Sequence, residues 1–180
     1  QRQMCIRDSP DVRRMLLTQR AYAEGCRALG FYVGMQLDLA KYADDAQAQR
    51  IGELLTPVVK AFLTDRGLEC AVLGQQVLGG HGYVKEWGME QIVRDARIGQ
   101  IYEGANGIQA IDLVGRKVVR DGGQTLKELI DEIIATDVDD EFAPALRDVC
   151  ERLTAVTESV VNRSKQDPNL PGAVSVDFLD

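Results

Sequence analysis

The chain has 180 residues, with 21 Lys and Arg against 28 Asp and Glu, a formal net charge of -7 and 45% apolar residues. That is the composition of a globular protein long enough to bury a substantial core, and the acidic balance argues against a nucleic-acid binder, which needs a basic patch. No apolar run approaches the roughly 20 residues that cross a bilayer, and Cys5, Cys26, Cys70 and Cys150 stand far apart with no CxxC pair, which predicts reduced thiols in a reducing compartment and no metal site.

Residues 1–9 follow no periodic pattern and contain no apolar secretory core, so they are left unassigned, as a fragment end or a scar, and set apart from the fold. Ser9-Pro10-Asp11 is a helix start: a capping hydroxyl, proline at the first helical position, then an acid in the first turn. Val12, Leu16, Gln19, Ala23, Cys26, Gly30, Val33 and Leu37, joined by Met15, Tyr22, Leu29 and Ala40, then follow helical spacing to about Ala43. Asp44-Asp45 punctuates the chain. A short helix with Ile51, Leu54 and Leu55 on its buried side follows, and Thr56-Pro57 restarts the chain as a second cap. Val58, Phe62, Leu68, Ala71, Val72, Gln75, Val77 and Leu78 continue as a long helix that Gly79-Gly80 ends.

Residues 79–107 hold seven glycines, the only Trp and the only His. They read as loops around a short helix, Met89 to Arg97, with Trp87 and Tyr83 as packing anchors. A helix resumes near Gly107, with Ile108, Ile111, Leu113, Val114 and Val118 apolar, and Asp121-Gly122-Gly123 breaks it. Leu126 to Ile134 and Phe142 to Val161 form two more helical stripes. Asp167 to Gly172 reads as a loop, and the apolar end at Asp180 lacks a stop signal, which suggests truncation. No hairpin signal appears, so the predicted class is all-α.

Two segments are candidates for chemistry. In Gln75-Gln76-Val77-Leu78-Gly79-Gly80-His81-Gly82-Tyr83, bare backbone at a helix end admits a ligand. A simple helix cap followed by a turn explains the same residues, and a helix C-terminus disfavours anions. In Ile101-Tyr102-Glu103-Gly104-Ala105-Asn106-Gly107-Ile108, a carboxylate sits between an aromatic and a glycine before a helix. An apolar cleft would desolvate that carboxylate and make it a stronger base, whereas the helix N-terminus would stabilise the anion. An ordinary acidic residue near a helix start is the alternative. Arg94-Asp95-Ala96-Arg97 reads as a structural charge cluster, and His81 as a solvated loop residue.

Taken together, Gln76-Val-Leu-Gly79-Gly80-His-Gly82-Tyr83, then Arg94-Asp95-Ala96-Arg97-Ile98, then Ile101-Tyr102-Glu103-Gly104 closely resemble the C-terminal helical domain of acyl-CoA dehydrogenases. The likeness covers roughly residues 10–120, as a helical bundle incomplete at its start. Glu103 to Leu113 resembles the bacterial subgroup with an additional C-terminal helical region, which contains 3-methylthiopropanoyl-CoA dehydrogenases; residues 121–180 resemble the start of that region.

The resemblance implies an FAD enzyme that oxidises an acyl-CoA to the trans-2-enoyl-CoA. Glu103 matches the base that removes the α-proton. Gln76, Gly79 and Gly80 match the segment that meets the adenosine-diphosphate half of an FAD held mainly by a neighbouring subunit. Ala105 and Gly107 match positions bordering the flavin, and Tyr102 and Gly104 flank the substrate. Ala105 stands where a threonine is frequent, Gly107 where some members have glutamine, and Gln91 where a basic residue is usual. The family also implies electron-transfer flavoprotein as acceptor, a homodimer or homotetramer, and the bacterial cytoplasm, or the mitochondrial matrix for a eukaryotic source. Two other readings remain at this point: a flavoprotein of the same fold used in alkylation damage response with DNA binding, and a non-catalytic helical interaction module.

Overall fold

The computed structural model describes residues 9–180. Among them the structure is helical throughout, with no strand. The elements are α1 (Pro10–Tyr42), α2 (Ala46–Leu78), α3 (Gly80–Tyr83), a 3-10 turn (Lys85–Trp87), α4 (Met89–Ile98), α5 (Asn106–Ile111), a π-helical stretch (Asp112–Val119), α6 (Gln124–Ala135), α7 (Ala143–Ser164) and α8 (Leu170–Leu179). The chain divides into two compact units. Among the described residues the first takes in 9–32 together with Val59–Asn106, and the second Val33–Val58 together with Gly107–Asp180.

In the first unit α1 and the later part of α2 run antiparallel. Gly30 faces Leu63, Cys70 Sγ lies 4.0 Å from the Gln19 carbonyl, and the Arg66 guanidinium stacks 5.3 Å over the Tyr22 ring. The face of α1 that turns inward carries Val12, Met15, Gln19, Tyr22, Cys26, Leu29 and Gly30, whereas Leu16 and Ala23 are exposed. Of the stripe expected from the sequence, Met15 is buried and Tyr22 and Leu29 turn inward with it, whereas Leu16, Ala23 and Leu37 fall on the exposed side. Burial pushes the Cys26 and Cys70 thiols above their ordinary values, because the anion is the form that low-dielectric surroundings disfavour.

In the second unit the turn into α2 is set by Asp45, whose Oδ1 accepts the N–H groups of Gln47 and Ala48 at 2.9 and 3.0 Å. That is a side-chain cap on the orphan donors of a helix start. No break follows at Thr56-Pro57: α2 runs unbroken through the proline. Proline there costs about 3 kcal/mol, by removing the bond to the carbonyl four residues back and crowding it. Pro57 is fully buried, so packing of its ring offsets that cost, and the Thr56 hydroxyl donates back into the helix, to the Gly52 carbonyl at 2.7 Å. The core joins Ile51, Leu54 and Leu55 to Ala110, Leu113, Val114 and Val118, and to Leu126, Leu129, Ile130, Cys150 and Val160. Ile108 and Ile111, expected on the apolar side, are exposed.

Asp121 caps α6 through both oxygens, accepting from the N–H of Gly123 at 2.9 Å and of Thr125 at 3.0 Å. Gly123 has φ 82° and lies so close to Thr157 of α7 that a Cβ would sit 2.9 Å from its methyl. The expected loop at Asp167–Gly172 is shorter than read: α8 starts at Leu170, with Pro171 in its first turn. No helix among the described residues is long and apolar enough to cross a membrane, and they contain no group of His, Cys, Asp and Glu that could hold a metal.

Candidate active site

The Tyr-Glu-Gly loop is built on α2 within the first unit. Helix α4 unwinds at Gly99, where successive N–H groups of Gly99, Gln100 and Ile101 donate three residues back to Ala96, Arg97 and Ile98. Gly99 lies against α2, since a Cβ there would sit 3.2 Å from the Thr64 methyl. The chain then reverses through two successive left-handed residues, Glu103 at φ 51° and Gly104 at φ 86°. Glycine adopts that conformation freely, whereas an L side chain pays about 1–2 kcal/mol. The N–H of Asn106 donates to the Gln100 carbonyl at 3.2 Å and closes the loop.

The side chain of Asn106 anchors this closure. Its Nδ2 donates to Asp65 Oδ1 at 2.8 Å and to Thr64 Oγ1 at 3.1 Å, and its Oδ1 accepts from Lys60 Nζ at 2.7 Å. At the other end of the loop, Gln100 Nε2 donates to the same Asp65 oxygen, and Arg97 Nη1 donates to Gln100 Oε1 at 2.6 Å. Sequence reasoning missed Lys60, Asp65, Gln100 and Asn106. The available signal was an asparagine placed just before an apolar helix, the usual position of a cap. Tyr102, Glu103 and Ala105 are exposed and Gly104 half-buried. The apolar cleft weighed for Glu103 is therefore not supplied by the described part of this chain.

The second segment is held by close approach. Gly79 turns with φ 59°, and the N–H of Gly82 donates to its carbonyl at 3.0 Å. Gly82 is pressed so closely on the preceding helix that a Cβ would lie 2.3 Å from the Gln75 carbonyl oxygen. Gln75 Nε2 in turn donates to the Gly82 carbonyl at 3.3 Å. Of the two adjacent glutamines, Gln75 is thus committed to the turn, and Gln76 presents an exposed side chain. Gly79 and Gly80 are exposed, and no atom lies within 4 Å of where their Cβ would be. Trp87 and Tyr83 are not packing anchors here: both are exposed, and Trp87 makes an edge contact with His81 at 4.9 Å between ring centres. In the charge cluster Asp95 accepts from Gln91 Nε2 at 2.7 Å, so amides hold Asp95 and Arg97.

Gln76 lies 11 residues beyond Asp65 on α2, about 16 Å along the axis. One small ligand does not span that distance, whereas an extended cofactor does. Gly107 begins the second unit, exposed, with open space where a Cβ would be. An open depression of about 580 Å³ in that unit, lined by Arg50, Glu53, Asp112, Arg116 and Lys117 among others, contains none of the sequence-predicted residues.

The family model of the acyl-CoA dehydrogenase C-terminal domain matches residues 1–118. The chain belongs to the acyl-CoA dehydrogenase family. A curated member from Ruegeria pomeroyi, 3-methylmercaptopropionyl-CoA dehydrogenase, is 45% identical over 94% of this chain and 31% of its own length. A broad-specificity linear acyl-CoA dehydrogenase from Mycobacterium tuberculosis is 41% identical over 71% of this chain and 22% of its own length. The apo form of Bd2924, a solved structure 21% identical, superposes with a TM-score of 0.71 over 96% of this chain and 33% of that one, and so shares its fold. The acyl-CoA dehydrogenase chain described here thus spans about a third or less of the relatives it matches.

Proposed function

We propose that the full-length protein dehydrogenates a linear acyl-CoA thioester to the trans-2-enoyl-CoA, with Glu103 removing the α-proton. The observation that carries this reading is an exposed glutamate held in left-handed backbone at the centre of a loop tied to α2 at both ends, in a chain of this family. A fixed carboxylate suits general-base work because proton abstraction needs the base within hydrogen-bond reach of the substrate. Gly104, without a Cβ, leaves the approach to Glu103 open, and Tyr102 borders it. An α-C–H is a weak acid, so the thioester oxygen must be polarised; the family resemblance assigns the backbone N–H of Glu103 to that oxygen.

FAD, when bound, supplies the acceptor for the β-hydride. The open backbone of Gly79 and Gly80 and the exposed Gln76 amide fit an extended cofactor approaching from outside the unit. Ala105 and Gly107 would border its flavin end. The residues from about 121 onward begin the additional helical region of the bacterial subgroup. The proposal extends to electron-transfer flavoprotein as acceptor, a homodimer or homotetramer in the bacterial cytoplasm, and 3-methylmercaptopropionyl-CoA as the first substrate to try.

In the full-length enzyme Glu103→Gln lowers substrate-dependent flavin reduction by about 10²–10⁴-fold, the usual worth of a general base, while FAD stays bound. Undiminished reduction would refute the assignment. The 180-residue chain alone neither retains FAD nor turns over; a flavin absorbance band in the purified chain would contradict that expectation.

A further inference from the structure

The two ends of the Tyr-Glu-Gly loop converge on one atom. Gln100 and Asn106, at its start and its end, both donate their side-chain amides to Oδ1 of Asp65 on α2. Each amide is oriented from its other side by a cation: Arg97 Nη1 donates to the Gln100 oxygen at 2.6 Å and Lys60 Nζ to the Asn106 oxygen at 2.7 Å. The order Arg97–Gln100–Asp65–Asn106–Lys60 thus alternates donor and acceptor without a mismatch. Asp65, Gln100, Asn106 and Lys60 are all part-buried, where hydrogen bonds to an ionised carboxylate are shielded from water and stronger than neutral ones. Left-handed backbone at a residue other than glycine persists only where its surroundings over-determine it, and Glu103 lies midway between the two clasped ends.

We propose that Asp65 is a positioning residue for the reaction, the single carboxylate that closes the loop and aims Glu103. The inference rests on the reading of Glu103 as the base. In this role Asp65 acts through Gln100 and Asn106.

The test uses the full-length enzyme. Asp65→Asn keeps the shape of the side chain and one acceptor oxygen but removes the negative charge that strengthens both bonds of the clasp. Misplacing a base by about 1 Å can cost on the order of 100-fold in rate, so kcat for flavin reduction should fall by about 10- to 100-fold. KM and bound FAD should stay within about twofold, a split that general unfolding would not give. Amide hydrogen exchange across residues 99–106 should quicken while that of α2 does not change. Gln100→Ala removes one of the two donors without touching Asp65, and serves if Asp65→Asn fails to fold; it should lower kcat with the same split. In the double variant the two losses should not multiply, because both act through one clasp. Wild-type kcat in both variants overturns the proposal, as does a changed exchange rate with unchanged kcat, or losses that multiply. Glu103→Gln separates the two claims: if that variant is inactive while Asp65→Asn is fully active, only the clasp is wrong. If Glu103→Gln is fully active, the base reading falls and the aiming role falls with it.

Discussion

The two units keep their shape by different means. In the second, large apolar side chains are sealed from water: Ile51, Val114 and Val118 are fully buried, together with Pro57 and Ser175. In the first, the buried apolar residues among those described are Met15, Ala61 and Ala71, one large and two small. Its loops are fixed instead by hydrogen bonds to Asp65 and by bare backbone at Gly82. Apolar packing holds a shape but hides the groups that make it. Polar ties and glycine contacts hold a segment while leaving Glu103, Gln76 and Gly79 at the surface, where a ligand can reach them.

The contrast can be broken experimentally, and the largest effect should come from the apolar side. Ile51→Ala removes a fully buried side chain and should destabilise by about 2–5 kcal/mol, from lost burial and the cavity left behind. Urea unfolding measures this, and a loss below about 1 kcal/mol would show that the second unit is not held by its core. Next comes Gly82→Ala. Its Cβ would meet the Gln75 carbonyl oxygen at 2.3 Å, a backbone atom that cannot swing aside, so about 1–3 kcal/mol of strain is expected. Gly80→Ala, two residues earlier, meets nothing within 4 Å and should change stability by less than about 0.5 kcal/mol. Equal effects at the two positions would remove close approach as the explanation.

The smallest expected effect concerns charge. Glu128 accepts from Arg50 Nη2 at 2.9 Å and from Gln124 Nε2 at 3.0 Å. The hydrogen bond from Arg50, then that from Gln124, hold its carboxyl below the ordinary value of 4.5. A depressed folded-state value means that the stabilisation is fully present above 4.5 and is lost as pH falls through the lower folded value. Wild-type stability should therefore drop more steeply than that of Glu128→Gln between about pH 5 and pH 2. Parallel curves would show that the pair contributes nothing measurable.

The sequence made most helices legible because their signals are local. Ser9-Pro10-Asp11 opens α1, and Asp121-Gly122-Gly123 separates the π-helical stretch from α6, as the residue types dictate. Thr56-Pro57 misled for the same reason: a cap followed by proline is a local signal, whereas burial of the Pro57 ring depends on distant packing. The inward face of α1 is legible in Met15, Tyr22, Cys26 and Leu29, but Leu16 is as apolar as Met15, and only the partner helix decides that it faces out. At the site, the proposed role of Glu103 rests on its neighbours in sequence. The clasp was not legible there, because Asp65 and Gln100 are 35 residues apart, and Lys60 and Asn106 are 46 apart.

Each hydrogen-bonded ring of the π-helical stretch Asp112–Val119 encloses one residue more than an α-helical ring. Leu113 and Val118, five positions apart, are both buried there. Deleting a residue from an ordinary helix rotates everything downstream by about 100°, and would turn the buried faces of α6 and α7 away from their partners. Deleting one inside this stretch, Gly115 for instance, converts it to α-helix and leaves the flanking segments in phase. The stretch is therefore a place inside a helix of the second unit where the chain can lose one residue and keep its core, a point of tolerance for deletion within an otherwise register-bound helix.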